Sequence, residues 1–320
     1  MSFSTLPAPL FPPPLKRGDT LGIIAPAGQL QDTARFEQGI ARLREMGFEV
    51  KFPRELWPGS EFPWFSDTDA NRAEEFNRMW ADPEVQGILC MRGGFGCLKL
   101  LKQIDYEQIR ATPKILAGFS DISILLNVLR AKTGLVSLHA PVVTSIAGAV
   151  PATLERLARC LQSPLQKQPA LEISQLEVLR DGAEVRAPLL GGNLATLVTL
   201  LGTPNDIDYS GCILLLEDVG EPLYKIDRML TQMRLAGKLK NLAGLLLGDF
   251  HTSQENAHTD RLAHLRFLEA VWKLALDAVS NSTAPCPVWA GLPVGHCPEN
   301  MALALGAQTI MSKKKDLRFT

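Results

Sequence analysis

The sequence predicts a mixed α/β protein whose first part is a parallel sheet flanked by helices, of the Rossmann or flavodoxin-like type. Three observations support this fold class. Short apolar segments alternate with amphipathic segments of helical period. The apolar segments show no polar alternation, which is typical of strands buried on both faces. Glycines and polar residues follow these segments directly, where open α/β sheets bind ligands. The length of 320 residues suggests about two domains.

The strands and helices of the first part alternate in order along the chain. One helix places Phe36, Ile40 and Leu43 on one face and ends near Gly47, and a second places Ala73, Phe76 and Trp80 on one face. SDISILLNVLR, after the last strand, is also predicted to be helical. The predicted strands are TLGIIAPA (20–27), FEVKFP (48–53), GILCM (87–91) and KILAGF (114–119).

A polar, proline-containing stretch predicts the domain boundary. We expect an N-terminal α/β domain at 1–165, a linker at 166–186 and a C-terminal domain at 187–320. The latter contains the predicted helices GGNLATLVTLLGTP, LYKIDRMLTQMRLAGKL and RLAHLRFLEAVWKLALDAV and the predicted strands CILLLE and AGLLLGDF. The polar segment HTSQENAHTD between them is predicted to be a loop, and PVWAGLPVGH and MALALGAQTI to be strands or turns.

Composition narrows the class of protein. A net charge of −1 argues against broad electrostatic binding to nucleic acid or anionic lipid. Six cysteines in such a chain are not a disulfide scaffold, and Cys90, Cys97 and Cys212 lie in or beside apolar runs as small buried side chains. No C-x-x-C pair or H-E-x-x-H helix is present, so we expect no structural zinc. With no signal-peptide pattern and no apolar stretch of about 20 residues, we expect a cytoplasmic protein without a membrane anchor.

Ser120 is the first candidate for chemistry. It stands in GFSDIS, at the predicted turn from a strand into a helix, where a hydroxyl projects from a tight turn beside outward-pointing N–H groups. The segment resembles a nucleophile elbow but lacks the second glycine of G-x-S-x-G. The alternative is that Ser120 or Asp121 only caps the following helix.

The second candidate is RGGFG, residues 92–96, which also follows a strand directly. Paired glycines permit close approach of the backbone to a ligand. This loop could supply an oxyanion N–H group, with Arg92 binding a carboxylate through two parallel hydrogen bonds. It could equally hold a phosphate, although neither the dinucleotide nor the P-loop spacing is present. A plain tight turn with a solvated arginine is the third possibility.

Glu217 and His296 complete the candidate residues. Glu217 ends an apolar strand, where a carboxylate without a partner is costly, so it is a candidate to orient a histidine. The alternative is a role at the start of the next helix, which explains Glu221 better. His296 lies in the Gly/Pro-framed turn GLPVGHCPEN, in a position suited to a general base. His139 is its competitor, since His251 and His258 are predicted in a polar loop and His264 on a helix.

A serine, a carboxylate and a histidine in these positions indicate a serine hydrolase. The ordered segments RGGFG, KILAGFSDIS, LHAPVV, GGNL, LLLEDVGEPLYKIDR, GLLLGDF and LPVGH resemble those of the LD-carboxypeptidase family, also called muramoyltetrapeptide carboxypeptidases, peptidase family S66. The resemblance runs from about Leu15 almost to the end of the sequence. It departs mildly from the family pattern at Phe95, where Tyr is common, and at Ser123, where Thr is common.

The resemblance implies a C-terminal domain with a β-barrel-like core, an active site between the domains and a Ser–Glu–His triad. Matching segment by segment gives Ser120, Glu217 and His296. The implied reaction releases the terminal D-alanine of a murein tetrapeptide through an acyl-enzyme, in cell-wall recycling. Backbone N–H groups of Gly94 and Asp121 would then hold the oxyanion. Arg92 and Gly93 would bind the substrate.

The remaining expectations follow from the same resemblance. No metal or organic cofactor is expected, so activity should survive EDTA, and a homodimer is expected by family analogy. One relative of the family instead cleaves peptidyl-adenylate antibiotics, and the segments quoted above do not distinguish the two activities. A further alternative, from a different class, is a non-catalytic α/β protein that binds a phosphorylated ligand through RGGFG.

Overall fold

The computed structural model describes residues 6–52, 64–251, 261–280 and 285–320. These residues form two compact units. The N-terminal unit consists of residues 6–168 together with 298–306, and the C-terminal unit consists of residues 169–297 and 307–320. No helix in the described ranges is both long and apolar enough to cross a membrane.

The N-terminal unit is built on a six-stranded sheet with the order β2-β1-β3-β4-β5-β12. The first five strands are parallel, and β12 pairs antiparallel with β5. The order 2-1-3-4-5 is that of flavodoxin-like folds, which confirms the fold class predicted for this part. Its strands are β1 (Thr20–Ile24), β2 (Glu49–Lys51), β3 (Gly87–Cys90), β4 (Ile115–Gly118), β5 (Ser137–His139) and β12 (Leu303–Leu305).

The helices between these strands bury the faces that their sequence period predicts. Phe36, Ile40 and Leu43 are buried on α1, and Phe76 and Trp80 on α2. Side chains cap both helices: Arg35 N–H donates to Asp32, and Asn71 N–H donates to Thr68. The helices of this unit are α1 (Thr33–Glu45), α2 (Asp69–Ala81), α3 (Cys97–Leu100), α4 (Tyr106–Ala111), α5 (Ser123–Thr133), α6 (Val143–Ile146) and α7 (Pro151–Gln162), with 3₁₀ turns at Ser120–Ile122 and Leu165–Lys167.

The C-terminal unit contains an eight-stranded sheet that curls into a half-barrel, in line with the expected barrel-like core. Its order is β6-β14-β13-β8-β9-β10-β11-β7, with the four strands β8 to β11 parallel and the outer strands antiparallel. The strands are β6 (Leu171–Glu172), β7 (Glu177–Arg180), β8 (Val185–Asn193), β9 (Ile213–Val219), β10 (Gly244–His251), β11 (Val288–Ala290), β13 (Gln308–Met311) and β14 (Asp316–Phe319). Its helices are α8 (Leu194–Val198), α9 (Leu223–Leu235) and α10 (Arg261–Ala278).

Three local expectations differ from the structure. The predicted linker at 166–186 contains β6 and β7, which are edge strands; their exposed polar residues weaken the apolar pattern. Residues 298–306, inside the range predicted for the C-terminal domain, add β12 to the N-terminal sheet. His251, the first residue of the predicted loop, belongs to β10, where it pairs with Val219. Residues 252–260, including His258, lie outside the described residues.

Candidate active site

Ser120 occupies a strained position directly after β4. Phe119 continues the extended backbone, and Ser120 then adopts φ +64°, in the left-handed region that residues with a β-carbon rarely enter. A 3₁₀ turn and α5 follow. The chain therefore reverses sharply at the serine, which is the geometry of a nucleophile elbow. The side chain is half-buried.

The glycine loop after β3 lies directly against this serine. A β-carbon placed on Gly93 would lie 2.7 Å from Ser120 Cβ and 2.9 Å from its Oγ, so only glycine fits without displacing the hydroxyl. The loop itself is held from behind by Gly28, whose N–H donates to the carbonyl of Gly93 at 3.1 Å. The structure thus brings together the two segments that the sequence singles out in this unit. No sequence pattern predicts that Gly28 supports the glycine loop in this way.

Asp121 stabilises the loop with its side chain. Its Oδ2 accepts a hydrogen bond of 2.8 Å from the N–H of Cys97, the first residue of α3. The capping role considered for Ser120 or Asp121 therefore exists, but the carboxylate caps α3 rather than the helix that follows it. Burial raises the pKa of Asp121, although the hydrogen bond from Cys97 lowers it. This contact joins the serine turn to the end of the RGGFG segment.

Arg92 and Phe95 frame the glycine loop. One guanidinium nitrogen of Arg92 donates to the carbonyl of Gln29 at 2.6 Å, which fixes the half-buried side chain. The ring of Phe95 is 51% exposed, and its centroid lies 5.5 Å from that of buried Phe65. The fully buried guanidinium of Arg72 packs against Gly96. A β-carbon on Gly96 would collide with it.

Glu217 and His296 are in direct contact in the C-terminal unit. Glu217 lies on β9 with a fully buried side chain, and its Oε2 is 2.7 Å from His296 Nδ1. The histidine follows Gly295, whose φ of +111° and whose approach to Glu217 both require glycine: a β-carbon there would lie 2.7 Å from Oε2. An Nδ1–H donated to the carboxylate leaves Nε2 as the nitrogen for proton transfer, as in hydrolase triads.

The charges around His296 set its protonation. Burial lowers the pKa of His296, but the neighbouring Glu217 carboxylate raises it, with smaller contributions from Asp218 and Asp249. The net effect is a pKa above the 6.5 of an unperturbed histidine. The imidazolium form is therefore stabilised, which is what a base needs once it has accepted a proton.

Asp218 is a buried carboxyl group that sequence patterns did not single out. It accepts hydrogen bonds from the N–H groups of Ala195 and Val219, at 2.8 and 2.7 Å. Burial, and then the charge of Glu217, raise the pKa of Asp218 to about 7. Asp218 is therefore about half-protonated near pH 7 and mostly protonated below it.

The competing histidines are placed differently. His139 lies on β5 with no exposed surface, and its ring contacts Phe119. A side chain in that position is a poor base for a soluble substrate. His251 and His264 instead form a separate cluster with Asp249. The candidate residues therefore form two groups, Arg92, Gly93 and Ser120 in the N-terminal unit and Glu217 and His296 in the C-terminal unit.

Comparison with known proteins gives a consistent result. A family model described as the LD-carboxypeptidase N-terminal domain matches residues 21–140, and one described as the LD-carboxypeptidase C-terminal domain matches residues 186–311. A probable murein peptide carboxypeptidase of Bacillus subtilis is 34% identical over 305 residues, which is 94% of this chain and 91% of the relative.

Two solved structures are similar over nearly the whole chain. A muramoyltetrapeptide carboxypeptidase from Oxalobacter formigenes is 28% identical, with a TM-score of 0.74, covering 93% of this chain and 97% of its own. The microcin C7 self-immunity protein MccF, in an inactive mutant apo state, is 25% identical, with a TM-score of 0.83 and 98% coverage of both chains. MccF of Escherichia coli is also similar in sequence, at 28% identity over 75% of this chain and 78% of its own length.

Proposed function

The chain belongs to the LD-carboxypeptidase family, and we propose that it is a serine carboxypeptidase that releases the terminal D-alanine of a murein tetrapeptide. The bond cleaved joins the L-centre of a diamino acid to D-alanine. The observation that supports this most directly is the buried Glu217–His296 contact of 2.7 Å. The strained Ser120 beside Gly93 supplies a suitable nucleophile.

The proposed reaction follows from the chemistry of these groups. Ser120 Oγ attacks the carbonyl carbon of the scissile bond while His296 Nε2 takes the hydroxyl proton. The oxyanion that forms is held by the backbone N–H groups of Gly94 and Asp121, and a single donor of this kind typically contributes ~10²–10³ in rate. The tetrahedral intermediate collapses, His296 gives its proton to the leaving amine, and D-alanine departs.

The acyl-enzyme is then hydrolysed. Water attacks the ester carbonyl as His296 takes one of its protons, and the second tetrahedral intermediate releases Ser120 with its proton restored. Glu217 fixes the imidazole and stabilises the imidazolium in both halves of the reaction. The raised pKa of His296 follows from that stabilisation, so the base is active at pH values above its pKa. No proton is gained or lost over the cycle.

Substrate binding requires recognition of a free carboxylate. We assign this role to Arg92, because its guanidinium is fixed beside the glycine loop through the carbonyl of Gln29. Gly93 lets the substrate backbone approach the serine. The names of the relatives from Bacillus subtilis and Oxalobacter formigenes, which specify murein peptide and muramoyltetrapeptide, support a wall-derived substrate.

A second candidate activity is hydrolysis of a peptidyl-adenylate, as in antibiotic self-immunity. The similarity to MccF over 98% of the chain favours it as the alternative. Both activities use a serine acyl transfer, so the same residues would carry either. Specificity would reside in the surroundings of the shared catalytic groups.

Incubation with defined substrates tests the proposal. The purified protein is given UDP-MurNAc-tetrapeptide, free tetrapeptide and an aminoacyl sulfamoyl adenylate in parallel, and products are followed by mass spectrometry. We expect D-alanine release from the murein peptides. Cleavage of the adenylate alone would support the second activity, and the absence of every product would contradict both. A tripeptide without D-alanine is the substrate control.

The same proposal includes a cytoplasmic homodimer, by analogy with the family and its role in recycling wall fragments. Light scattering coupled to size-exclusion chromatography measures the mass of the assembly, and cell fractionation measures its location. A monomer at micromolar concentration would contradict the assembly, without affecting the proposed chemistry.

A further inference from the structure

Asp249, His251 and His264 form a cluster of potential metal ligands that the proposed reaction does not use. One ligand atom from each lies within 4.8 Å of the other two. Asp249 and His251 are two residues apart on β10, so they share one face of the strand. His264 comes from α10. One strand and one helix thus place two imidazoles and one carboxylate next to one another.

The cluster is compact and mostly buried. His251 Nε2 contacts Asp249 Oδ2, and His264 Nε2 lies 3.8 Å from Asp249 Oδ1. The two imidazole rings stack, with centroids 4.3 Å apart and planes 16° from parallel. About 12% of the Asp249 side chain is exposed. A carboxylate that has lost most of its water is stabilised by a positive charge, and a cation held by all three groups would supply one while the imidazoles stay neutral.

The ligand types indicate the kind of cation. Neutral imidazole nitrogens with one carboxylate oxygen suit zinc and its first-row neighbours, whereas calcium and magnesium prefer oxygen ligands. Ligand atoms on a tetrahedral zinc lie roughly 3.3 Å apart, given zinc–ligand distances of about 2.0–2.2 Å. The 3.8 Å between His264 Nε2 and Asp249 Oδ1 is close to that spacing. His251 Nε2 and Asp249 Oδ2 are in direct contact, so these two atoms would have to move apart to bind the same ion.

We propose that Asp249, His251 and His264 bind one divalent ion, either zinc or a neighbouring first-row transition metal. Three protein ligands leave at least one coordination position for water or a further ligand. The ion would join the end of β10 to α10. It would also fix the neighbouring segment that precedes His296, because Asp249 N–H donates to the carbonyl of Val294 at 2.9 Å. The ligand spacings considered in the sequence, C-x-x-C and H-E-x-x-H, do not include this arrangement, which combines a strand with a helix.

Direct metal titration tests the proposal without any turnover measurement. Tag-free, full-length protein is stripped with EDTA and dialysed, then titrated with ZnCl₂ by calorimetry and with CoCl₂ by visible absorption. We expect about one ion per chain and the absorption bands of four- or five-coordinate cobalt. Asp249→Asn and His264→Asn should each weaken binding more than about tenfold. Glu269→Gln, an exposed carboxylate change on the same helix, is the matched control and should bind normally.

Thermal unfolding provides a second measurement. Zinc should raise the melting temperature of the wild type and of Glu269→Gln, but not of His264→Asn, because only a ligand of the folded state stabilises it. The half-buried position of His264 makes that variant the one best suited to remain folded. Absence of saturable binding to the wild type would overturn the proposal, as would unchanged binding in both ligand variants. Neither result bears on whether D-alanine is released.

Discussion

The N-terminal unit positions Ser120 through backbone conformation, whereas the C-terminal unit positions His296 through a buried charge. Ser120 has a left-handed φ of +64° and is in contact with a glycine that admits no side chain. His296 lies against a fully buried carboxylate, with two further acids influencing its protonation. The first arrangement depends on sterics and is insensitive to pH, while the second depends on ionisation.

The two arrangements have opposite consequences for mutation. Removing strain at Ser120 should stabilise the fold while it abolishes chemistry, because strained residues at functional sites reduce stability. Removing one member of the Glu217–His296 pair leaves the other buried without its partner, so stability and activity should fall together. The following experiments separate these two behaviours, beginning with the largest expected effect.

Replacement of Ser120 should cause the largest loss. We expect Ser120→Ala to lower kcat/KM by about 10⁴-fold or more, measured as D-alanine release. Ser120→Gly should be equally inactive but more stable than Ser120→Ala by about 1–2 kcal/mol, because glycine adopts the left-handed conformation without strain. Asn241→Gly is the matched control, since Asn241 has a φ of +56° outside the site. It should keep full activity, and an active Ser120→Gly would contradict the nucleophile assignment.

Replacement of Glu217 should follow in size. Glu217→Gln is expected to reduce kcat by ~10³–10⁴-fold. Since the carboxylate raises the pKa of His296, its loss should move the acid limb of the residual pH–rate profile to lower pH. Glu221→Gln, a change in a partly exposed acid that pairs with Lys225, is the control and should behave as wild type. An unshifted acid limb would mean that Glu217 does not act through His296.

A methyl group added to the glycine loop tests whether close packing against Gly93 positions the Ser120 hydroxyl. Gly93→Ala should lower kcat by about 10²-fold, because its β-carbon displaces the hydroxyl of Ser120 and small misplacements have effects of this size. Its pH profile should keep the wild-type shape. Gly148→Ala, whose added carbon meets only the end of the Arg35 side chain, is the control. A pH profile altered by Gly93→Ala would show that the two arrangements are not independent.

Loss of Arg92 should affect binding more than chemistry. Arg92→Ala is expected to raise KM by roughly 10–100-fold, the range of one hydrogen bond between charged groups, with a smaller change in kcat. A substrate ending in D-alanine amide, which lacks the terminal charge, is the control. Wild type and variant should cleave that amide equally. A variant that still prefers the free carboxylate would assign its recognition to another residue.

The smallest effect on activity is expected from replacement of Asp218, which should instead change how thermal stability depends on pH. The unfolded chain ionises this group near pH 3.8 and the folded protein only near pH 7, so raising the pH between these values favours unfolding. Relative to Asp218→Asn, the wild type should therefore lose roughly 5–10 °C of melting temperature between pH 4 and 8. The difference should be constant above that range. Asp227→Asn, at an exposed position of α9, should show no such trend.

Parallel strands and their loops could be predicted because their signals are local. GILCM and KILAGF are uninterrupted apolar runs, and the residues directly after them form the site of the N-terminal unit. The strands β6 and β7 were missed because edge strands with polar residues lack that pattern. Pairing of Glu217 with His296 was implied by family resemblance rather than by spacing, because 79 residues separate them. The left-handed Ser120 and the Asp249–His251–His264 cluster depend on tertiary structure, which no short segment encodes.

The position of β12 has a practical consequence for handling this protein. Residues 303–305 close the sheet against Ser137–His139, and the chain passes between the units at 168–169, 297–298 and 306–307. A gene fragment that stops near residue 168 would therefore leave the hydrogen-bonding edge of β5 uncovered, which invites aggregation. During synthesis the first sheet remains incomplete until residues 303–305 have left the ribosome. Separate expression of that unit requires residues 298–306 to be joined to it by a designed connection.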